Sequence, residues 1–100
     1  MIKYKKVYCT FFGYDVGDKI ECEVCREYFN TNLTGLIRDA VDIHHLTPRG
    51  HSKCCNLNEI PNLIALCREH HIAAENSVDV NKKFRIIHLK NIIKKLENEY

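Results

Sequence analysis

The sequence predicts a small α+β domain stapled by a metal ion. A chain of 100 residues forms one domain and buries only about two-thirds of the surface that its unfolded form exposes, so a metal ion is a useful addition to the core. Two short segments in the middle of the chain have the pattern of strands, and a C-terminal apolar stripe has the spacing of a helix. One C-x-x-C pair and one C-x-x-H pair predict the metal site.

The first two strands are predicted from composition and alternation. Residues 2–12 are rich in aromatic and β-branched side chains, and Gly13 and Gly17 mark a turn after them. Residues 40–46 carry roughly alternating apolar positions, which predicts a strand that stops at the turn sequence of residues 48–50. We expect the N-terminal strand to lie against the C-x-x-C segment of residues 22–25, which has the spacing of a zinc knuckle.

A third strand and a short helix are predicted next along the chain. Residues 63–66 form an apolar run that periodicity alone cannot assign, and Pro61 ahead of it permits either a strand or a first helical turn. We choose a strand. Past Cys67 we expect a helix over about residues 70–75.

The last segment, residues 80–100, predicts a basic amphipathic helix. Its apolar residues recur three or four positions apart, as on one stripe of a helix: Ile86, Leu89, Ile93, Leu96 and Tyr100. We expect this stripe to dock on the domain's own core, the alternative being a contact between two copies. Residues 80–95 include basic but no acidic side chains, which fits either a solvated face or a phosphate-contacting surface.

The cysteines and the apolar segments favour a reducing, cytoplasmic environment. Six cysteines also fit a disulfide-bonded secreted domain, but we find no signal segment and no apolar stretch near the roughly 20 residues that span a bilayer. We therefore expect Cys9, Cys54 and Cys55 to be free thiols and no membrane partner. A net charge of +2 does not by itself identify a nucleic-acid partner.

Cys22, Cys25, Cys67 and His70 are the predicted ligands of a structural zinc ion. Thiolates and a neutral imidazole from two tight knuckles can surround one ion tetrahedrally without a large core. His71 follows a ligand directly and cannot bind the same ion without distorting the backbone. It should point elsewhere.

A second group of polar side chains is left over for chemistry. Adjacent histidines on a strand point to opposite sides, so His44 and His45 can divide two tasks, one holding a metal ion and the other handling a proton. His71 and Asn62 lie at sequence distances that a strand–loop–strand–helix unit folds back onto this pair.

The combined pattern resembles the HNH endonucleases, the zinc-knuckle branch of the ββα-metal (His-Me finger) nucleases. The resemblance rests on DIHHLTPRG at residues 42–50 and NLIALCREHH at residues 62–71. It implies a ββα-metal core over about residues 22–76, with a zinc-knuckle site and a C-terminal helix, in a single nuclease domain of residues 1–100.

The resemblance also implies a role for each residue of the second group. His45 would be the general base, and His44 and His71 would be ligands of a catalytic divalent ion. Imidazole ligands leave the ion open between Mg²⁺, Mn²⁺, Ni²⁺ and Zn²⁺. Asn62 would brace the active-site loop or assist the metal.

The implied function is hydrolysis of phosphodiester bonds in DNA, which needs an activated water and neutralisation of charge on the phosphate. The candidate phosphate contacts are Arg49, Arg68, Lys82, Lys83, Lys90 and Lys94. We expect sequence specificity to be low or to be supplied by a larger protein complex, and monomer and homodimer both stay open. The competing hypothesis is a zinc-knuckle nucleic-acid-binding or adaptor module that cuts nothing, which needs only the knuckle residues and the basic helix.

Overall fold

A computed structural model describes residues 3–32, 35–48 and 57–98 of the chain. The elements within these ranges, in chain order, are helix α1 (Lys3–Phe12), helix α2 (Glu23–Asn32), strand β1 (Asp42–His45), a single 3-10 turn (Ile60–Asn62), strand β2 (Leu63–Leu66), helix α3 (Arg68–Asn76) and helix α4 (Val78–Glu97). The predicted α+β class is confirmed. Some residues of the sequence predictions lie outside these ranges, among them Arg49, Gly50, Cys54, Cys55 and Tyr100.

The two strands form an antiparallel pair at the centre of the described residues, with His44 opposite Ile64. All four residues of β2 are fully buried, because its alternate side chains enter two different apolar clusters. Ile64 and Leu66 pack with residues of α2, α3 and α4 on one face of the sheet. Leu63 and Ala65 pack on the other face, beneath α1. A strand covered on both faces has a continuous apolar run, which is why periodicity left it ambiguous.

The N-terminal segment is a helix, so the strand predicted over residues 2–12 is wrong. Its aromatic residues Tyr4, Tyr8 and Phe12 recur every four positions and meet the same cluster, which is helical spacing despite a composition typical of strands. The helix covers the face of the sheet that carries Leu63 and Ala65, whereas Cys22 and Cys25 pack in the opposite cluster. Tertiary packing overrides propensity here.

Helix α4 docks by a face different from the predicted one. Its buried side chains are Phe84, Ile87, His88 and Ile92. The stripe predicted to dock is exposed instead, with relative exposures of 56% for Ile86, 40% for Leu89, 54% for Ile93 and 44% for Leu96. Both faces of the helix have apolar residues at helical spacing. The face that packs also includes His88, which is polar, so a search for apolar residues favours the other face.

His88 is fully buried in a polar network around Glu23. The Glu23 carboxylate accepts hydrogen bonds from the Tyr8 hydroxyl (2.6 Å) and the Asn91 amide (2.9 Å), and lies 2.9 Å from His88 Nδ1. The His88 Nε2 atom lies 2.6 Å from the carbonyl oxygen of Ile60. Buried polar groups need such partners. These contacts join α1, α2 and α4 at Glu23, which lies between Cys22 and Cys25 in the sequence.

Candidate functional site

The four predicted zinc ligands converge on one point. The ligand atoms of Cys22, Cys25, Cys67 and His70 all lie within 4.8 Å of one another. His70 Nδ1 lies 3.4 Å from Cys22 Sγ, 3.5 Å from Cys25 Sγ and 3.3 Å from Cys67 Sγ, and the sulfurs of Cys25 and Cys67 are 3.9 Å apart. Zn–S bonds of about 2.3 Å and Zn–N bonds of about 2.0–2.1 Å give tetrahedral edges of roughly 3.8 Å between sulfurs and roughly 3.6 Å from sulfur to nitrogen. The donor set therefore fits a tetrahedral metal ion.

Two helix N-termini present these ligands. Cys25 lies in the first turn of α2, and its backbone N–H donates to Cys22 Sγ at 3.5 Å. Cys67 is the residue just before α3, and His70 lies in the first turn of that helix. Thiolates are stabilised at helix N-termini, where backbone N–H groups and the helix dipole favour negative charge. The turn into each helix thus brings the two ligands of each C-x-x-C or C-x-x-H pair to the same side of the chain.

Burial disfavours the thiolate that a metal ion needs at Cys22, but it favours the neutral imidazole that the ion needs at His70. Desolvation raises the pKa of the Cys22 thiol to about 12, and desolvation also lowers the pKa of His70. A bound cation would favour the thiolate form of Cys22 over the buried thiol, because a metal ion binds the deprotonated sulfur. The cluster is a possible metal-binding site, and its chemistry is consistent with structural zinc.

His44, His45 and His71 line a cleft of about 700 Å³ between β1, α3 and α4. His44 and His45 enter it from the strand and His71 from the helix, and the rings of His44 and His71 meet edge to face with their centroids 5.0 Å apart. All three imidazoles are partly exposed. The structure thus separates His71 from its neighbour His70, as the backbone argument predicts.

Each of the two facing histidines has a polar partner. His44 Nε2 lies 2.9 Å from Asn81 Oδ1, and the Asn81 Nδ2 group donates to the carbonyl oxygen of Leu46 at 2.8 Å. His71 Nε2 lies 2.8 Å from a carboxylate oxygen of Glu75, one helical turn further along α3. Burial lowers the pKa of His44, so its ring is neutral near pH 7 and can act as a metal ligand.

His45 has a different set of neighbours. Its ring packs edge-on against Tyr4 of α1 with centroids 4.6 Å apart, and its Nε2 atom lies 2.9 Å from Asn58 Oδ1. The alternation of a strand explains why adjacent histidines reach α4 in one case and α1 in the other. His45 therefore shares the cleft with His44 without sharing its partners.

Asn62 is buried outside the lining of the cleft and braces the chain beside it. Its Oδ1 atom accepts from the backbone N–H of Thr47 at 2.7 Å, and its Nδ2 group donates to the carbonyl oxygens of Thr47 (3.1 Å) and Leu57 (2.8 Å). Both amide hydrogens are used on backbone oxygens. Of the two roles that the resemblance left open, these contacts favour bracing of the loop.

The candidate phosphate contacts lie on the surface. Arg68 at the start of α3 and the lysines of α4, namely Lys82, Lys83, Lys90 and Lys94, are all exposed. Arg49 lies outside the described residues.

Sequence reasoning missed three residues of the cleft and its rim. Glu75 follows His71 by four positions within a predicted helix, so spacing alone was enough to find it. Asn81 and Arg85 lie on α4, and Arg85 donates to the Thr47 hydroxyl at 2.9 Å. Only the tertiary packing of α4 reveals these two.

Comparisons with protein-family models, with curated proteins and with solved structures found no match to this chain. Among the helices in the described ranges, none combines the length and apolar character needed to cross a membrane.

Proposed function

We propose that this protein is a metal-dependent endonuclease of the HNH type that hydrolyses phosphodiester bonds in DNA. The observation that supports it most is the cleft in which His44, His45 and His71 meet, beside a Cys3His cluster that needs none of them. An antiparallel strand pair followed by helix α3 carries the three histidines, which fits a ββα-metal core. Cys67 and His70, at the start of α3, complete the cluster with Cys22 and Cys25 from the start of α2.

Cys22, Cys25, Cys67 and His70 would hold the structural zinc ion. Their positions join α2 to α3 across the end of the sheet, because each pair belongs to the start of one helix. A small domain gains folding free energy from such a closed site. In this proposal the ion fixes the start of α3 and hence the position of His71.

His45 would be the general base. Its Nε2 atom lies 2.9 Å from Asn58 Oδ1. An amide oxygen can only accept, so this contact requires the Nε2–H tautomer and leaves the Nδ1 lone pair to accept a proton from the attacking water. Tyr4 packs against the ring and limits its rotation. The His45 side chain is partly exposed, so a water molecule can reach its ring.

His44 and His71 would hold the catalytic divalent ion, with Mg²⁺, Mn²⁺, Ni²⁺ and Zn²⁺ as candidates. When bound, such an ion supplies Lewis-acid stabilisation of the phosphate and of the leaving oxygen. Arg68 and the lysines of α4 would bind flanking phosphates, contacts that position DNA without reading its sequence. Sequence specificity would be low or would come from a larger protein complex.

Cleavage of supercoiled plasmid DNA with each of the four ions in turn tests the proposal. We expect nicked or linear product with at least one ion, and none from a His45→Ala protein purified in parallel, which controls for contaminating nucleases. Binding without cleavage under all four conditions would instead support the zinc-knuckle module that cuts nothing. Equal cleavage by both proteins would contradict the role of His45.

A further inference from the structure

We propose that Asn81 is a positioning residue that fixes His44 as the Nε2–H tautomer, with Glu75 doing the same for His71, so that both rings offer Nδ1 to one divalent cation. The inference rests on the proposed function, because it concerns the same cleft. It adds two residues that lie outside the histidine pair and Asn62, one of them on α4.

The hydrogen bonds of Asn81 determine the tautomer of His44. The carbonyl oxygen of Leu46 can only accept, so the Asn81 atom 2.8 Å from it must be the NH₂ group. The other amide atom is then the oxygen, which can only accept as well. His44 Nε2, 2.9 Å from that oxygen, must therefore carry a hydrogen, and in a neutral ring Nδ1 is left with the lone pair.

Glu75 fixes the tautomer of His71 in the same way, through a single contact. A carboxylate is an acceptor, so His71 Nε2 at 2.8 Å donates to it and Nδ1 becomes the available atom. The carboxylate of Glu75 is 58% exposed, and a solvated partner constrains the ring less than Asn81 does. Metal-bound histidines characteristically donate their second ring N–H to a carboxylate or a carbonyl in this way.

Asn81 gives α4 a second task besides packing. The side chain links β1 to α4 across 37 positions of the chain, and it also holds the backbone at the end of the strand through Leu46. Ser77 starts the helix by accepting a hydrogen bond from the N–H of Val80 at 3.3 Å, which places Asn81 in the first turns of α4, next to the end of α3. The cleft is therefore incomplete without this helix.

The tautomer can be measured without any cleavage assay. Two-bond ¹H–¹⁵N correlation spectra of the ¹⁵N-labelled, zinc-loaded protein report which ring nitrogen of each histidine is protonated, and a His44→Gln sample assigns the signals of His44. We expect the Nε2–H form in the unmodified protein and a mixture of tautomers in Asn81→Ala. Calorimetric titration with Mn²⁺ should show about a 10–100-fold loss of affinity in the same variant.

Asn91→Ala is the matched control. Asn91 is also a partly buried asparagine of α4, but its amide donates to Glu23, and neither residue is among those that line the cleft. We expect this variant to keep both the His44 tautomer and the Mn²⁺ affinity, even if its melting temperature falls.

The results separate this inference from the endonuclease proposal. An Nδ1–H form of His44 in the unmodified protein would overturn the inference without the use of any variant. So would an Asn81→Ala protein in which tautomer and Mn²⁺ affinity are both unchanged. If the tautomer and affinity respond as expected but plasmid DNA stays intact, the positioning role of Asn81 is supported and the endonuclease proposal fails.

Discussion

The Cys3His cluster and the histidine cleft are built from neighbouring residues but differ in how they are closed. Helix α3 contributes His70 to the cluster and His71 to the cleft. In the cluster, four donors surround one point and three of them are buried. In the cleft, three partly exposed imidazoles border about 700 Å³ of open space. Structural metal sites are closed and catalytic ones keep a position free, so changes in the cluster should act on folding and changes in the cleft on activity.

Loss of the zinc ion from the Cys3His cluster should have the largest effect, and the effect should be on the stability of the fold. Purified protein should contain about one tightly bound zinc per chain, and chelation or Cys25→Ser should abolish cooperative unfolding, because zinc binding in small domains contributes on the order of 10 kcal/mol. Circular dichroism melting with metal analysis measures this. Cys9→Ala is the control, since Cys9 is buried but lies outside the cluster. A metal-free protein with an unchanged melting curve would rule the site out.

Replacing His45, the proposed general base, should have the second-largest effect and should leave the fold intact. His45→Ala should abolish detectable cleavage, since general bases contribute about 10²–10⁴-fold in rate, while DNA binding and the melting curve stay as they are. His44→Ala and His71→Ala should instead weaken the dependence on the divalent ion. Cleavage rates measured across a range of ion concentrations distinguish the two effects. Loss of the base function in His44→Ala and of ion affinity in His45→Ala would exchange the two roles.

Features of the molecule that depend on neighbouring residues could be predicted from the sequence, and features that depend on long-range contacts could not. The cluster, β1 and α3 were predictable because their signals are local: ligands three residues apart, alternating apolar positions, and a helix that starts near Cys67. The continuous apolar run of β2 was ambiguous, because that strand is covered on both faces. Helix α1 was not, since Tyr8 and Phe12 favour strands by composition and only packing shows their helical spacing. His88 and Glu23 are buried because they satisfy each other across 65 positions. Asn81 reaches the cleft through another long-range contact, with His44, 37 positions away. No short pattern in a single sequence predicts such a contact.

Neutralising the exposed lysines of α4 should weaken DNA binding without touching either site. Lysine–phosphate contacts release counterions, so replacing Lys82, Lys83, Lys90 and Lys94 by Gln should lower affinity on all sequences alike. The salt dependence should flatten by about one unit of slope for each phosphate that a lysine no longer neutralises. Binding measured at several salt concentrations reports this, and cleavage of a saturating short duplex should persist. Unchanged affinity and slope would identify these lysines as a solvated face.

The smallest effect compares two neighbouring isoleucines of α4. Ile87 is 9% exposed and packs in the apolar cluster that contains the cysteine ligands, whereas Ile86 is 56% exposed. Ile87→Ala should therefore lower the free energy of unfolding by about 2–4 kcal/mol, and Ile86→Ala by less than about 0.5 kcal/mol. Urea unfolding of the zinc-loaded variants measures both. The residue type and the helix are the same, so only the direction of the side chain differs. Equal losses, or a larger loss for Ile86→Ala, would mean that the outward stripe is covered in solution and would return it to the packing role that the sequence predicts.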